Sequence, residues 1–175
     1  MRTDQTQKAG RAGAIVLCMF VAMLFNGCRG QSEEEAVAGV FADMAARVER
    51  RDADGLIGHL DADYADFEGR DRAATREMAE EYFRRYRGIK AKLLSSRVSL
   101  GEAGTAAAEV DVALYSGVAS ALRKAVGFDG ENYRVTCRLR KSDRWRLSEA
   151  SWEYVPVSGL FPESLQVLRE LFPDA

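Results

Sequence analysis

Residues 131–154, ENYRVTCRLRKSDRWRLSEASWEY, decide the architecture. Over 131–140, Tyr133, Val135, Cys137 and Leu139 alternate with Arg134, Thr136, Arg138 and Arg140. That period of two places successive side chains on opposite faces of a strand. KSDR at 141–144 is turn chemistry, and Trp145, Leu147, Trp152 and Tyr154 carry a returning strand over about 144–155, its sidedness blurred as by a bulge. Two strands joined by a short turn, apolar on one side and charged on the other, belong to an antiparallel sheet with one dry face.

The same period runs upstream. Ala106, Ala108, Val110, Val112 and Leu114 face one way while Glu109 and Asp111 face the other, and GEAG at 101–104 is a second turn, so the meander begins near Ile89. Arg134, Arg138 and Arg140 are expected to pair with Glu109 and Asp111 on the water-facing side, each cross-strand pair contributing about 0.2–1 kcal/mol; a basic strip for anionic lipid or glycan is the other reading. The connection over 116–130 is long for a hairpin, with room for a helical turn at Ser120 to Val126.

Before the sheet the period is helical. Ser32 followed by Glu35 is a capping-box signature, and Val37, Val40, Phe41, Met44, Ala45 and Val48 place one apolar stripe on a helix over about 33–51. Asp52 or Asp54 caps a shorter helix with Leu56, Ile57 and Leu60. An extended piece from Tyr64 to Phe67 leads into a third helix, about 71–87, with Ala74, Met78, Tyr82 and Tyr86 on one side and Gly88 ending it. All three prolines fall at 156, 162 and 173, so 156–175 is a tail in which Leu165, Leu168, Leu171 and Phe172 form a short amphipathic helix that must cover something.

The N-terminus reads as an address. Arg2, Lys8 and Arg11 precede an apolar run from Ala14 to Phe25, the charged and hydrophobic regions of a secretory signal. Twelve apolar residues are too few for a spanning helix, which needs about 20. LFNGCRG resembles the lipobox of bacterial lipoproteins: Gly27 and Cys28 match it, while Leu24 stands one place early. The resemblance implies a signal peptide over 1–28, acylation of Cys28, a tether at 29–32 and, with Arg29 after the cysteine, the periplasmic face of the outer membrane. Cleavage without acylation, giving a freely secreted domain, is the alternative.

Loss of residues 1–28 leaves 22 basic against 26 acidic residues. A mildly acidic domain has no basic excess with which to neutralise phosphates, which excludes nucleic acid as a partner. Cys18 leaves with the signal and Cys28 is acylated, so Cys137 stands alone without an intrachain partner. Between Val135 and Leu139 it reads as a buried, inert thiol.

Helix, short helix, stub strand, helix and then a curved antiparallel sheet is an order that resembles the nuclear transport factor 2-like superfamily, which includes ketosteroid isomerase, scytalone dehydratase and polyketide cyclases. The resemblance rests on VAGVFADMAARVERRDADGLIGHLDADY (37–64), FEGRDRAATREMAEEYFRRY (67–86) and RWRLSEASWEY (144–154), and covers nearly all of 33–155. It implies an α+β fold in which the sheet curves around the helices into a cone, with a ligand pocket or core side chains at the open end. Many such proteins dimerise through the outer sheet face. Here that face is charged, so a monomer or weak dimer is expected.

His59 is the one histidine, and Asp61 and Asp63 stand close enough in sequence to orient it as a general base beside Tyr64. Its place at the end of a short helix explains it equally well as a surface capping group. The EF-hand pattern counted from Asp61 needs Gly at the sixth place and Glu at the twelfth, where Asp66 and Arg72 stand, so 61–66 reads as a solvated acidic turn. One histidine and one free cysteine do not make a zinc site. No metal or other cofactor is expected. Phe41, Met44, Tyr82, Tyr86, Tyr133, Trp145 and Trp152 are the residues expected to line a ligand pocket if the cone is open, with the tail helix and the 116–130 connection as lids. The expectation is a lipid-anchored cell-envelope domain that binds a small apolar molecule or an envelope protein. An isomerase- or cyclase-like enzyme on an apolar small molecule is the rival.

Overall fold

The computed structural model describes residues 32–86, 88–116 and 131–171. The readings made above for residues 1–31, for Ser120 to Val126 and for Phe172 lie outside them.

Helix α1, Glu33–Arg50, carries Glu33, Glu34 and Glu35 in its first turn and Arg47 and Arg50 in its last, which suits the helix dipole at both ends. It buries Val37, Val40 and Phe41. Helix α2, Ala53–Ile57, is capped by Asp52, whose carboxylate accepts from the Gly55 N–H at 2.8 Å. Strand β1 is Leu60–Asp66. Helix α3, Arg72–Arg85, is capped by Asp71 through the Ala74 N–H and buries Thr75, Ala79 and Phe83. Gly88, at φ 78°, turns the chain into the sheet in a conformation that needs no Cβ.

Strands β2 (Ile89–Leu100), β3 (Thr105–Ser116), β4 (Glu131–Lys141) and β5 (Trp145–Tyr154) form the expected antiparallel meander, and the sheet order is β1-β5-β4-β3-β2. The sheet is mixed, because β1 joins β5 in parallel, with Leu60 opposite Leu147 and Asp66 opposite Ala150. The stub foreseen at Tyr64 to Phe67 is thus a seven-residue edge strand. The bulge on β5 is at Ser148: Leu139 pairs Leu147 and Arg138 pairs Glu149, and the extra serine donates its hydroxyl to the Arg138 carbonyl. Leu147 and Ala150 therefore both face the core.

The inner face of the sheet meets α1. Val37, Phe41, Leu60, Tyr64, Val110, Cys137, Leu139 and Leu147 fill the space between them as one contiguous cluster. Behind it Ala79, Phe83 and Ile89 seat α3.

The tail belongs to the same compact unit. After a 3-10 turn at Val157–Gly159, helix α4 (Pro162–Leu171) lies on the outer face of the sheet, where Leu160 and Leu168 pack on Leu94, Ala113 and Val155. It is no lid on the inner side. This docking corrects the reading of Asp111 as a solvent-facing residue: its side chain is fully buried. Both carboxylate oxygens take the Arg134 guanidinium, at 2.9 and 3.2 Å, and one also accepts the Phe161 N–H and the Ser164 hydroxyl, each at 2.8 Å. The Phe161 ring lies between the guanidinium groups of Arg97 and Arg134, 3.6 and 3.7 Å from its centroid. The expected Asp111–Arg134 pair forms. Arg138 instead bridges Glu149 at 3.2 Å, because β4 sets Arg138 beside Ala107 on one side and Glu149 on the other.

Candidate functional site

The histidine does not meet the aspartates beside it in sequence. His59 Nε2 lies 2.8 Å from Asp43 Oδ2 on α1, and the same carboxylate faces Arg47, which also bonds Asp52 at 2.8 Å. Burial pushes the Asp43 carboxyl up, but His59 and Arg47 outweigh it and hold the group below its ordinary value. Asp61 accepts the Asp63 N–H, at 3.1 Å. His59 and Asp43 tie the entry of β1 to the flank of α1, on the far side of that helix from Phe41.

Asp66 departs from the solvated turn expected of it. It faces inward at the end of β1, and its carboxylate accepts the N–H groups of Glu68 and Arg70 at 2.9 Å and the Arg70 Nε at 2.6 Å. Burial raises its carboxyl, but these three contacts with Arg70 and Glu68 and the charge of Arg70 outweigh it, for a net depression. The Arg70 guanidinium stands 5.1 Å over Trp152, whose other neighbour is Phe67, edge-on at 4.8 Å. With both carboxylate oxygens engaged, Asp66 builds the turn. Beside it Tyr64 is pushed up to about 12 by burial and by the charge of Asp66.

The aromatic residues divide in two. Phe41 and Trp145 are core side chains, and the Trp145 indole N–H donates to Glu33 at 2.9 Å. Tyr82, Tyr86, Tyr133 and Trp152 instead gather toward the end of the sheet where β3 stops and β4 begins, with Tyr154 added to them. Tyr82 and Tyr86 stack at 4.7 Å with their planes tilted by 38°, and Tyr133 and Tyr154, opposite each other on β4 and β5, meet edge to face at 6.4 Å. The Tyr133 hydroxyl donates to Glu131 at 2.6 Å. That bond, and then burial, raises the Tyr133 hydroxyl, and burial, then Tyr86 and Glu131, raise that of Tyr82. Met44, Val112 and Val135, partly buried, line the approach from the core. Tyr82, Tyr86 and Tyr154 remain 41%, 39% and 62% exposed, unusual for rings so close to a core.

No family model matches the chain, and no curated protein matches it in sequence. Solved structures do match. A candidate scytalone dehydratase from Novosphingobium aromaticivorans aligns with a TM-score of 0.59 at 13% identity, over 71% of this chain and 85% of that one. A candidate dehydratase of the nuclear transport factor 2-like family from Streptomyces avermitilis aligns at 0.57 and 18%, over 71% and 96%. A cystatin-like protein of unknown function from Nostoc punctiforme aligns at 0.55 and 15%, over 69% and 90%. The fold is nuclear transport factor 2-like.

That nuclear transport factor 2-like fold carries binding proteins and enzymes alike, so chemistry has to be read from side chains. Among the described residues no three His, Cys, Asp or Glu side chains converge as metal ligands. On the outer face an open groove of about 530 Å³ runs past Thr136, Arg138, Arg140, Ser148 and Glu149, with charges of both signs along it. On the inner face Cys137 is buried, and burial pushes its thiol up to about 12. A disulfide-exchange reagent added to the folded protein at pH 8 is expected to leave Cys137 unmodified over hours and to titrate it at once in denaturant. Rapid labelling without denaturant would show that the core around Leu139 opens freely.

Proposed function

We propose that the chain is a lipid-anchored cell-envelope domain, held through Cys28 at the periplasmic face of the outer membrane, whose tyrosine-bordered end binds a small molecule. The observation that carries this reading is the tyrosine group, Tyr82, Tyr86 and Tyr154 exposed with Tyr133 partly buried, set against the partly buried apolar strip of Met44, Val112 and Val135. An apolar bed rimmed by a few polar tips is what small-molecule sites require. The isomerase- or cyclase-like alternative needs a titratable group poised near neutral pH and facing the ligand. Both Asp66 oxygens are taken up by the Glu68–Arg70 turn, Tyr64 is raised to about 12, and His59 lies at the entry of β1, paired with Asp43 on α1. A protein partner is the weaker reading, because Leu168 of the apolar tail is buried against the chain's own sheet. The tail also occupies part of the outer sheet face, which favours a monomer.

Two measurements test this. Fractionation is expected to place the wild-type chain with membranes and Cys28→Ala in the soluble fraction; membrane association of that variant would overturn the anchor. Native mass spectrometry of the detergent-extracted protein is expected to show a monomer carrying an extra few hundred daltons, lost in Tyr82→Ala. A bare chain, or mass retained in that variant, would overturn the binding site.

A further inference from the structure

The half of the outer sheet face that α4 leaves open is shaped as well as charged. It lies at the end where the turns 101–104 and 141–144 close their hairpins, away from the connection between β3 and β4. Two hollows of about 530 and 410 Å³ adjoin there, and Arg138, Arg140, Ser148 and Glu149 line both. The first reaches Asp63 on β1 and Phe67 just past it, the second Ser99 and Leu100 on β2, so the trough crosses the whole sheet. At about 4.8 Å between strands, that is a run of about 19 Å.

The bulge at Ser148 sets Ser148 and Glu149 together on this face, where Glu149 meets Arg138 at 3.2 Å. Both ends of that bridge are more than half exposed, so solvent screens it and a ligand can take its place. Strand register puts Arg140 between Thr105 and Arg146, so neither cross-strand neighbour gives it an acid, and like charges set opposite each other repel. Arg146 turns to Asp143 in the hairpin loop, at 3.1 Å. An anion laid over Arg138 and Arg140 offsets that repulsion and is met by two planar donor forks.

The second hollow has room for such a group. Its floor includes Ser99, Thr105 and Ala107, and Glu149 is the one acid among the described residues that line it. The first hollow is mixed: Asp63 and Glu149 offer acceptors, Thr136 and Ser151 hydroxyls, and Phe67 an apolar ring. That ring is 56% exposed and braced by Trp152, edge-on at 4.8 Å. Acceptors, hydroxyls and one flat ring suit a sugar, which carries hydroxyls around its rim and C–H groups on its faces.

We propose that this trough binds a linear acidic glycan, with a sugar carboxylate seated on Arg138 and Arg140 in the second hollow and a neighbouring sugar packed on Phe67 in the first. A membrane surface fits less well, because a plane of headgroups does not enter a trough. The site is separate from the tyrosine-bordered end and stands or falls without it.

The test is calorimetric titration of the purified full chain in detergent with tetragalacturonate, its neutral methyl ester, a hyaluronan hexasaccharide, inorganic phosphate and soluble dihexanoyl phosphatidylglycerol. At least one acidic oligosaccharide is expected to bind, and tetragalacturonate about tenfold more tightly than its ester, the worth of one charge-assisted bond. Arg140→Gln and Arg138→Gln are each expected to weaken the acidic oligosaccharide by about the same factor. Phe67→Ala is expected to weaken acid and ester alike. All three side chains are exposed, so the fold is spared, which thermal melting checks. Equal binding of acid and ester, or full affinity in both arginine variants, overturns the proposal. Phosphate bound as tightly as the oligosaccharides shows a simple anion site, and tighter binding of the lipid a headgroup site; either overturns the glycan. Silence with both acidic oligosaccharides does so too.

Discussion

Asp111→Ala is expected to cost about 3 kcal/mol and to free the C-terminal tail. Removing one partner of a buried ion pair costs about 3–5 kcal/mol, because the other charge stays behind without compensation. Arg134 keeps 19% of its side chain in water, which places this case at the low end. Two more donors lose their acceptor in the same substitution, the Phe161 N–H and the Ser164 hydroxyl, and both hold the tail. The variant should therefore unfold at lower urea concentration and be cleaved by protease between Val155 and Pro162 under conditions that leave the wild type whole. A tail as resistant in the variant as in the wild type would show that Leu160 and Leu168 suffice to dock it. The pH dependence has a definite sign. Burial pushes the Asp111 carboxyl up, but Arg134, Phe161 and Ser164 outweigh it, so its folded value lies below the ordinary one. Its stabilisation is complete above the unfolded value, about 3.9, and is lost as pH falls through the folded value. As pH falls below about 4 the wild type should lose this contribution progressively, and Asp111→Ala should have none to lose.

Leu139→Ala is expected to cost a further order of the same size, about 3 kcal/mol, with no effect on the tail. Leu139 is 1% exposed and sits at the centre of the cluster formed by α1 and the inner sheet face. Truncation of a buried leucine costs about 2–5 kcal/mol through lost transfer energy and the cavity left behind. Its surroundings, a strand pair pinned by the Ser148 bulge, have little freedom to collapse into the space. For a domain of this size the change lowers Tm by about 10 °C. A shift under 3 °C would mean that the sheet does relax around the vacancy. Because Leu139 and Asp111 lie on opposite faces, the double variant should show near-additive losses.

What the sequence made legible was local. The cap at Asp52, offered together with Asp54, the turns at 101–104 and 141–144 and the alternation along β3 and β4 each carry their own signal within a few residues, and all took shape in the structure. Strand β1 was read short because its pairing with β5 is parallel, and a parallel partner leaves no turn between the strands to announce it. Alternation assigned Asp111 to the outer face correctly. It could not say that the tail would cover that face, since burial depends on what arrives from elsewhere. The candidate site follows the same division. Helical spacing grouped Tyr82 with Tyr86, whereas depth separated Phe41 and Trp145 from the exposed tyrosines, and spacing contains no information on depth. His59 found Asp43, 16 residues upstream, in place of Asp61 or Asp63, because β1 enters alongside α1. Glu131 was missed; its bond to the Tyr133 hydroxyl two residues on is what brings it in.

The parallel edge has a kinetic meaning. Leu60 cannot find Leu147, nor Glu33 find Trp145, 112 residues on, until almost the whole chain is available. High contact order of this kind slows folding, since long loops must close before any of the distant contacts form. The early helices meanwhile carry apolar faces that have nothing to cover them. A chain built this way completes its core only once the C-terminal strands are available to it.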